Sequence, residues 1–369
     1  MTSDARDASF GSSTRNQLAA APKVVLHDHL DGGLRPGTLI ELAEQYGVAL
    51  PSIRPDELAQ HIQRGAASGS LLAYLEPFSY TVAVLQTTQA LRRVAAECVV
   101  DLALDGVVYA ELRFAPELST ELGLSTPEVV DAVLEGFVIG TQQAATHGRR
   151  IVPRALLCAM RHQNRSSEIA ELTAAYHSAG AAVAGFDIAG PEAGFPPHDH
   201  DAAFSYLREA GVPFTVHAGE AAGLDSVAEA LEVGARRLGH GVRLADDVSF
   251  PSGTPVLGPI AARVVAEGIA LELCPKSNVD TRAVPSLAEH PFLLLDRAGV
   301  FVTVNTDNRL MSRTCMTDEF ERLVHQFDYD LAGLERLTRN AITAAFVDDD
   351  VRQEITEELI APGYAALRG

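Results

Sequence analysis

From Lys23 onward, short runs of Val, Leu, Ile and Phe alternate with longer stretches in which apolar residues recur every three or four positions. That alternation is the pattern of parallel strands separated by amphipathic helices. It predicts strands at Lys23–Leu26, Val107–Leu112, Ile151–Leu157, Val183–Ile188, Phe214–Val216, Arg237–Gly239, Ala270–Leu273 and Phe301–Val304. Helical periodicity falls between them, at Thr88–Leu104, Pro127–Thr146, Ser166–Ser178, Ser226–Glu232, Gly258–Glu267 and Leu287–Ala298. Eight strands with intervening helices predict an α/β fold, a (β/α)8 TIM barrel with additional helices, rather than a doubly wound sheet. Residues 1–20, polar and rich in Ser, Asp and Arg, are expected to form a flexible tail, leaving 21–369 as one barrel domain.

In such a barrel the chemistry gathers where strands end. Strand one ends in His27 and His29, strand four in Asp187-Ile188-Ala189-Gly190, strand five in His217-Ala218-Gly219-Glu220, strand six in His240 and strand eight in Asp307-Asn308. Taken alone, His27-x-His29 is equally a pair of packed histidines, and His217 or His240 a satisfied core residue. Their shared position changes that reading. Two histidines one residue apart on a strand point the same way, and His27, His29, His217 and Asp307 together suit a borderline-soft divalent ion such as zinc. Bound zinc lowers the pKa of water from 15.7 to about 7. His240 is then placed to orient that water and Asp307 to accept its proton. Glu220, three residues past His217, is otherwise a solvated surface carboxylate; if substrate buries it, its pKa rises and it can donate a proton. A metal-activated water beside a proton-donating glutamate is what deamination of a ring C–NH2 requires.

Composition narrows the field further. With 369 residues, 47% of them hydrophobic, the chain can bury a large core. A formal charge of −20 opposes the attraction that nucleic acid or an anionic membrane surface needs, which favours a small, uncharged or cationic partner. Lys23 and Lys276 are the only lysines, which leaves almost no candidates for a Schiff base, a phosphate-loop lysine or a metal-bridging carbamate. Cys98, Cys158, Cys274 and Cys315 have no paired spacing, so neither a zinc knot nor a disulfide framework is expected. The N-terminal stretch lacks a signal-peptide apolar centre and no run reaches membrane-spanning length, so the expected compartment is the cytoplasm. Homo-oligomerisation is left open by the sequence.

Other polar positions carry weaker signals. His198-Asp199-His200 repeats the His-x-His spacing but follows Phe195-Pro196-Pro197 in a loop, and is not read as a metal site. His61, His147, His177, His290 and His325 fall in or beside helices as surface or packing residues, and His162 after strand three is given a supporting role. Leu71, Tyr74, Leu75 and Phe78, within Ser70–Phe78, share a helical face that reads either as core or as a cover over an apolar ring.

With these residues placed, the chain resembles the adenosine deaminase family of zinc amidohydrolases from about Pro22 to the C-terminal helices. The stretches that carry the resemblance are Leu26-His27-Asp28-His29-Leu30-Asp31-Gly32, Gly185-Phe186-Asp187-Ile188-Ala189-Gly190, His217-Ala218-Gly219-Glu220, Gly239-His240-Gly241, Glu272-Leu273-Cys274-Pro275-Lys276-Ser277-Asn278 and Asn305-Thr306-Asp307. The resemblance implies one zinc per chain on His27, His29, His217 and Asp307, with Glu220 protonating purine N1 and His240 assisting the attacking water. It also implies substrate contacts from His29, from the Gly190 backbone to purine N3 and from Asp31 to the ribose hydroxyls; Gly190 otherwise reads as a turn glycine and Asp31 as a cap. One position departs from the family pattern. Where many members carry a second aspartate, this chain has Asn308, whose amide donates a hydrogen bond to N7 without needing a proton. Arg309 beside it is read as a surface ion pair rather than a contact to an unusual substituent.

The expected function is hydrolytic deamination of adenosine and 2′-deoxyadenosine to the inosine product and ammonia. Three rivals stand against it. A deaminase of adenine or a modified adenosine is separated by Asp31, to which free adenine offers nothing. A binuclear amidohydrolase lacks its lysine at strand four, and an inactive binding protein would be expected to have lost a ligand or the acid.

Overall fold

The structure, a computed structural model, describes residues 12–67, 69 and 71–368. Its strands are β1 (Lys23–His29), β2 (Val107–Phe114), β3 (Val152–Met160), β4 (Val183–Ala189), β5 (Thr215–Ala218), β6 (Arg237–His240), β7 (Ala270–Leu273) and β8 (Phe301–Val304). All pair in parallel, β1 to β4 in one sheet and β5 to β8 in another. Single bridges Asp28–Asp307 and Phe186–Phe214 join the two sheets into a closed (β/α)8 barrel. A small antiparallel hairpin, Val248–Ser249 with Val256–Leu257, lies outside the barrel and has no counterpart in the sequence reading.

Every expected strand is present, and β1 to β6 run one to three residues past their expected C-terminal ends. For β1 and β2 the reason is the barrel interior itself. His27, Asp28, His29 and Arg113 interrupt the apolar run, so periodicity stops short of them, yet all four are buried and pairing resumes at Asp28 and His29 after a register shift past Val25. Two further differences have local causes. The helix expected at Leu287–Ala298 is a 3-10 turn (Leu287–Glu289) and a helix (Phe292–Arg297) divided at Pro291, which has no N–H to continue a helix and restricts His290 before it.

The expected flexible tail is likewise corrected over residues 12–20, which form a helix with Leu18 buried and Arg15 paired to Asp318 at 2.7 Å. A helix so short is held by tertiary contacts, not by its own propensity. Lys23 secures its end, donating to the carbonyls of Ala21 (2.9 Å), Ala19 (3.3 Å) and Asp105 (2.8 Å) while burial pushes the ammonium pKa down to about 8. Residues 1–11 of that expectation lie outside the described residues. Among the described residues no helix is long and apolar enough to cross a membrane.

The connection between β1 and β2 carries the additional helices Pro36–Tyr46, Pro55–Ala66, Leu71–Leu75 and Phe78–Val84. Inside the barrel, charged side chains replace part of an apolar core. Arg237 bonds Glu111 and Glu272 and stacks on Phe346 at 3.6 Å, while Arg113 joins Glu272 (2.7 Å) to Asp187 (2.5 Å). The chain of opposite charges ends beneath the C-terminal mouth.

Candidate active site

The seam between β1 and β8 builds the floor of the mouth. His29 N–H donates to Asp307 O at 2.8 Å and Asp307 N–H to His27 O at 2.9 Å, so backbone bonds set these three residues side by side. Asp307 and His240 both take left-handed backbone angles, φ 59° and 60°, a conformation disfavoured for non-glycine residues and concentrated at functional sites.

Ring nitrogens and one carboxylate converge there. His27 Nδ1 lies 2.8 Å from Glu272 Oε2, while its Nε2 is buried without a hydrogen-bond partner. His217 Nδ1 faces Asp187 Oδ2 at 2.8 Å. His29 Nε2 is 3.3 Å from both His217 Nε2 and Asp307 Oδ1. Ser277 (2.6 Å) and Tyr74 (3.4 Å) donate to Asp307 Oδ2, which leaves Oδ1 facing the histidines. Donor atoms of His27, His217, His240 and Asp307 all lie within 4.8 Å of one another. At His27 and His217 the carboxylates on Nδ1 favour bare Nε2 atoms pointing inward, an arrangement that orients histidine ligands in metal sites. A cation fits this cluster, since nothing else there relieves the approach of bare nitrogens to a buried carboxylate.

Glu220 stands at the edge of the cluster, with Oε1 accepting from Thr281 (2.9 Å) and Oε2 3.6 Å from His240 Nε2. Burial, together with the charges of Asp307 and Glu192, holds its pKa well above the usual carboxylate range. Its loop is fixed from below. Glu192, just beyond β4, accepts the N–H groups of Gly219 (2.6 Å), Glu220 (3.0 Å), Ala221 (2.5 Å) and Ala222 (2.8 Å) and the Ser226 hydroxyl (2.6 Å).

A cavity of about 230 Å³ opens above these groups. Leu71, Leu75 and Phe78 give it an apolar wall, so the stripe seen in the sequence covers the site; Ser70, at the start of that segment, lies outside the described residues. Asp31 and Asn308 line it too, each with an Oδ1 buried and unpartnered. Burial pushes the Asp31 carboxyl up to about 7. The Asn308 amide lies over Gly32, where a Cβ would come within 1.9 Å of Oδ1. Gly190 has φ +102°, and a Cβ there would meet Met160 at 3.0 Å and His162 at 3.3 Å. Glycine is required at both places.

A family model described as Adenosine deaminase matches residues 22–362. The adenosine deaminase of Mycobacterium sp. (strain KMS) is 55% identical over 359 residues, covering 96% of this chain and 99% of that protein. The chain belongs to the adenosine deaminase family. A second family protein, the adenosine deaminase of Mycobacteroides abscessus, is 54% identical over 355 residues and covers 95% of this chain and 98% of its own length. Among solved structures, the adenine deaminase of Arthrobacter aurescens superimposes with a TM-score of 0.80 at 26% identity, covering 95% of this chain and all of that one.

The residues singled out in the sequence as adenosine deaminase family positions thus meet at one mouth, and others do not. His162 lines the rim, exposed. His198 pairs with Asp201 and Glu232 on the surface, and His200 with Ser166 and the Arg161 carbonyl, so the second His-x-His holds no common centre. Arg309 is corrected: it forms an ion pair, but a half-buried one rather than a surface one, bonding the buried Asp28 Oδ2 at 2.8 Å and Cys98 Sγ at 2.9 Å. The site also recruits side chains to which the sequence reading gave no role, Asp187, Glu192, Glu272, Ser277, Asn278 and Thr281, together with His290, read as surface or packing, and Tyr74, read as core or cover. Glu272 and Asp187 had a usable signal, an acid inside an otherwise apolar strand. Glu192 and Thr281 had none, because loop residues declare no partner.

Proposed function

We propose that the protein hydrolytically deaminates adenosine, and 2′-deoxyadenosine, to the inosine product and ammonia. The observation that carries the reading is Glu220: a buried carboxyl, proton-retaining by its surroundings, beside a histidine and aspartate cluster that fits one divalent cation. We read the cation as zinc, one per chain, held by His27, His29, His217 and Asp307. When bound it supplies Lewis acidity that brings the pKa of water towards neutrality.

The chain's own groups do the rest. Asp307 Oδ1, the oxygen not bonded to Ser277 and Tyr74, has a second lone pair beyond the one that would hold the cation and can take a proton from the attacking water. Glu220 delivers its proton to ring N1, which lets the purine C6 accept the oxygen. The proton taken up by Asp307 then passes to the amino nitrogen, the C6–N bond breaks and ammonia leaves, while the hydroxyl proton returns to Glu220 as the C6 carbonyl forms. Asn308 donates its amide to N7, the Gly190 N–H meets N3, and Asp31, with His29 beside it, receives the ribose hydroxyls through its unpartnered oxygen.

The cavity wall favours a nucleoside over a nucleotide. Its described lining holds no lysine or arginine, so a phosphate entering it would lose water without finding a basic side chain to pair with. Chelation followed by dialysis should abolish adenosine turnover, and one equivalent of zinc per chain should restore it. Full activity in metal-free protein would contradict the reading.

A further inference from the structure

We propose that a hydrogen-bond relay anchored on the backbone, from Phe292 N–H through His290 and Asn278 to His240, fixes His240 as the tautomer with its proton on Nε2. This histidine then presents a hydrogen-bond donor to the reacting centre, neither a base nor a metal ligand.

Direction enters the relay at a group that can only donate. The Phe292 amide N–H lies 3.1 Å from His290 Nδ1, so that nitrogen carries a lone pair. His290 is buried and its pKa is pushed down to about 3, so the ring is neutral and its proton sits on Nε2. That Nε2–H donates to Asn278 Oδ1 at 3.2 Å. The same oxygen accepts the Cys274 N–H at 3.3 Å. Two donors on one oxygen settle which end of the amide is which. Asn278 Nδ2 is therefore the end facing His240 Nδ1, at 3.0 Å. An amide NH2 has no lone pair to offer, so His240 Nδ1 accepts and its own proton resides on Nε2.

At His27 and His217 the opposite holds. There carboxylates, Glu272 and Asp187, face Nδ1 at 2.8 Å, so the proton stays on Nδ1 and Nε2 is bare. Donor atoms of these three histidines lie within 4.8 Å of one another. Their outer partners sort them, two towards a cation and one towards hydrogen bonding. His240 Nε2 lies 3.6 Å from Glu220 Oε2, and His240 lines the substrate cavity. A fixed N–H at that point can hold the attacking oxygen and stabilise charge that develops on it. Asn278 and His290 do not reach the cavity and act only through His240, as positioning residues.

The catalytic consequence rests on the deaminase reading; the proton position does not. Neutron diffraction from deuterium-exchanged crystals of the wild-type protein should show a deuteron on His240 Nε2 and none on Nδ1, whatever the substrate. Asn278→Asp places an acceptor opposite Nδ1. In that variant the deuteron should appear on Nδ1 and kcat for adenosine should fall on the order of 10–100-fold, with KM and bound metal per chain unchanged. A wild-type deuteron on Nδ1 would overturn the proposal, as would unchanged kcat in Asn278→Asp. Loss of metal from that variant would instead make Asn278 a support for a ligand, and would overturn it too.

Discussion

At Glu220, burial and the charges of Asp307 and Glu192 keep a proton on a carboxyl that in water would have lost it. Glu220→Gln keeps the shape and the Thr281 contact but has no acidic proton to deliver. It should bind zinc and purine as the wild type does while kcat falls by about 10²- to 10⁴-fold, read by metal analysis, equilibrium binding and steady-state kinetics. Near-wild-type kcat would remove Glu220 from its role. This residue was legible in the sequence because a strand end and a neighbouring histidine both pointed to it. Arg309 was not, since only the fold reveals Asp28 and Cys98 packed against it. Asn278 was quoted as part of a motif, but its task depends on His290, which arrives from a different loop.

Among the elements, the turn after β5 shows how one carboxylate can shape a loop. Glu192 engages four consecutive backbone N–H groups and Ser226, tying the strand-four edge that carries Gly190 to the strand-five edge that carries Glu220. Glu192→Ala leaves those donors without their acceptor and frees Glu220 to shift. A displacement of about 1 Å can cost 10²-fold in rate, so kcat/KM should fall by roughly that factor while metal content stays at wild-type level. Added formate, which can enter the vacated cradle, should restore part of the rate. Unchanged kcat/KM would show that the loop holds itself. The existence of the eight barrel strands was legible, because apolar runs between helical patterns leave few alternatives; the short hairpin Val248–Ser249 with Val256–Leu257 was not. Strand ends were not: the barrel buries His27, Asp28, His29 and Arg113, and periodicity takes polar residues as the end of an element. The division at Pro291 was visible in the residue itself and was outweighed by the apolar residues around it.

Over the whole molecule, stability and chemistry share the same buried charges. Arg237, Glu272, Arg113 and Asp187 form a continuous chain inside the barrel and end on the two histidines whose Nε2 atoms point into the cluster. Nothing in a linear sequence pairs these residues, because each sits on a different strand. Buried neutral histidines also couple stability to pH. His290 has a folded pKa near 3 against about 6.5 unfolded, so the unfolded chain binds the extra proton between these values. Its contribution is complete above about pH 6.5 and is lost as pH falls towards 3, by about 1.4 kcal/mol for each unit. Denaturant unfolding of wild type and His290→Gln at pH 7 and pH 5 should show a smaller acid loss in the variant; equal losses would contradict a neutral, buried His290.

The central claim is that one cation-centred mouth deaminates a purine nucleoside, and a substrate panel followed by ultraviolet absorbance on protein of known metal content tests it most directly. Adenosine and 2′-deoxyadenosine should be converted with kcat/KM at least about 100-fold above adenine, which leaves Asp31 unpaired, and above AMP, whose phosphate finds no basic side chain in the lining. Faster turnover of adenine or AMP than of adenosine by the zinc-loaded protein would contradict it.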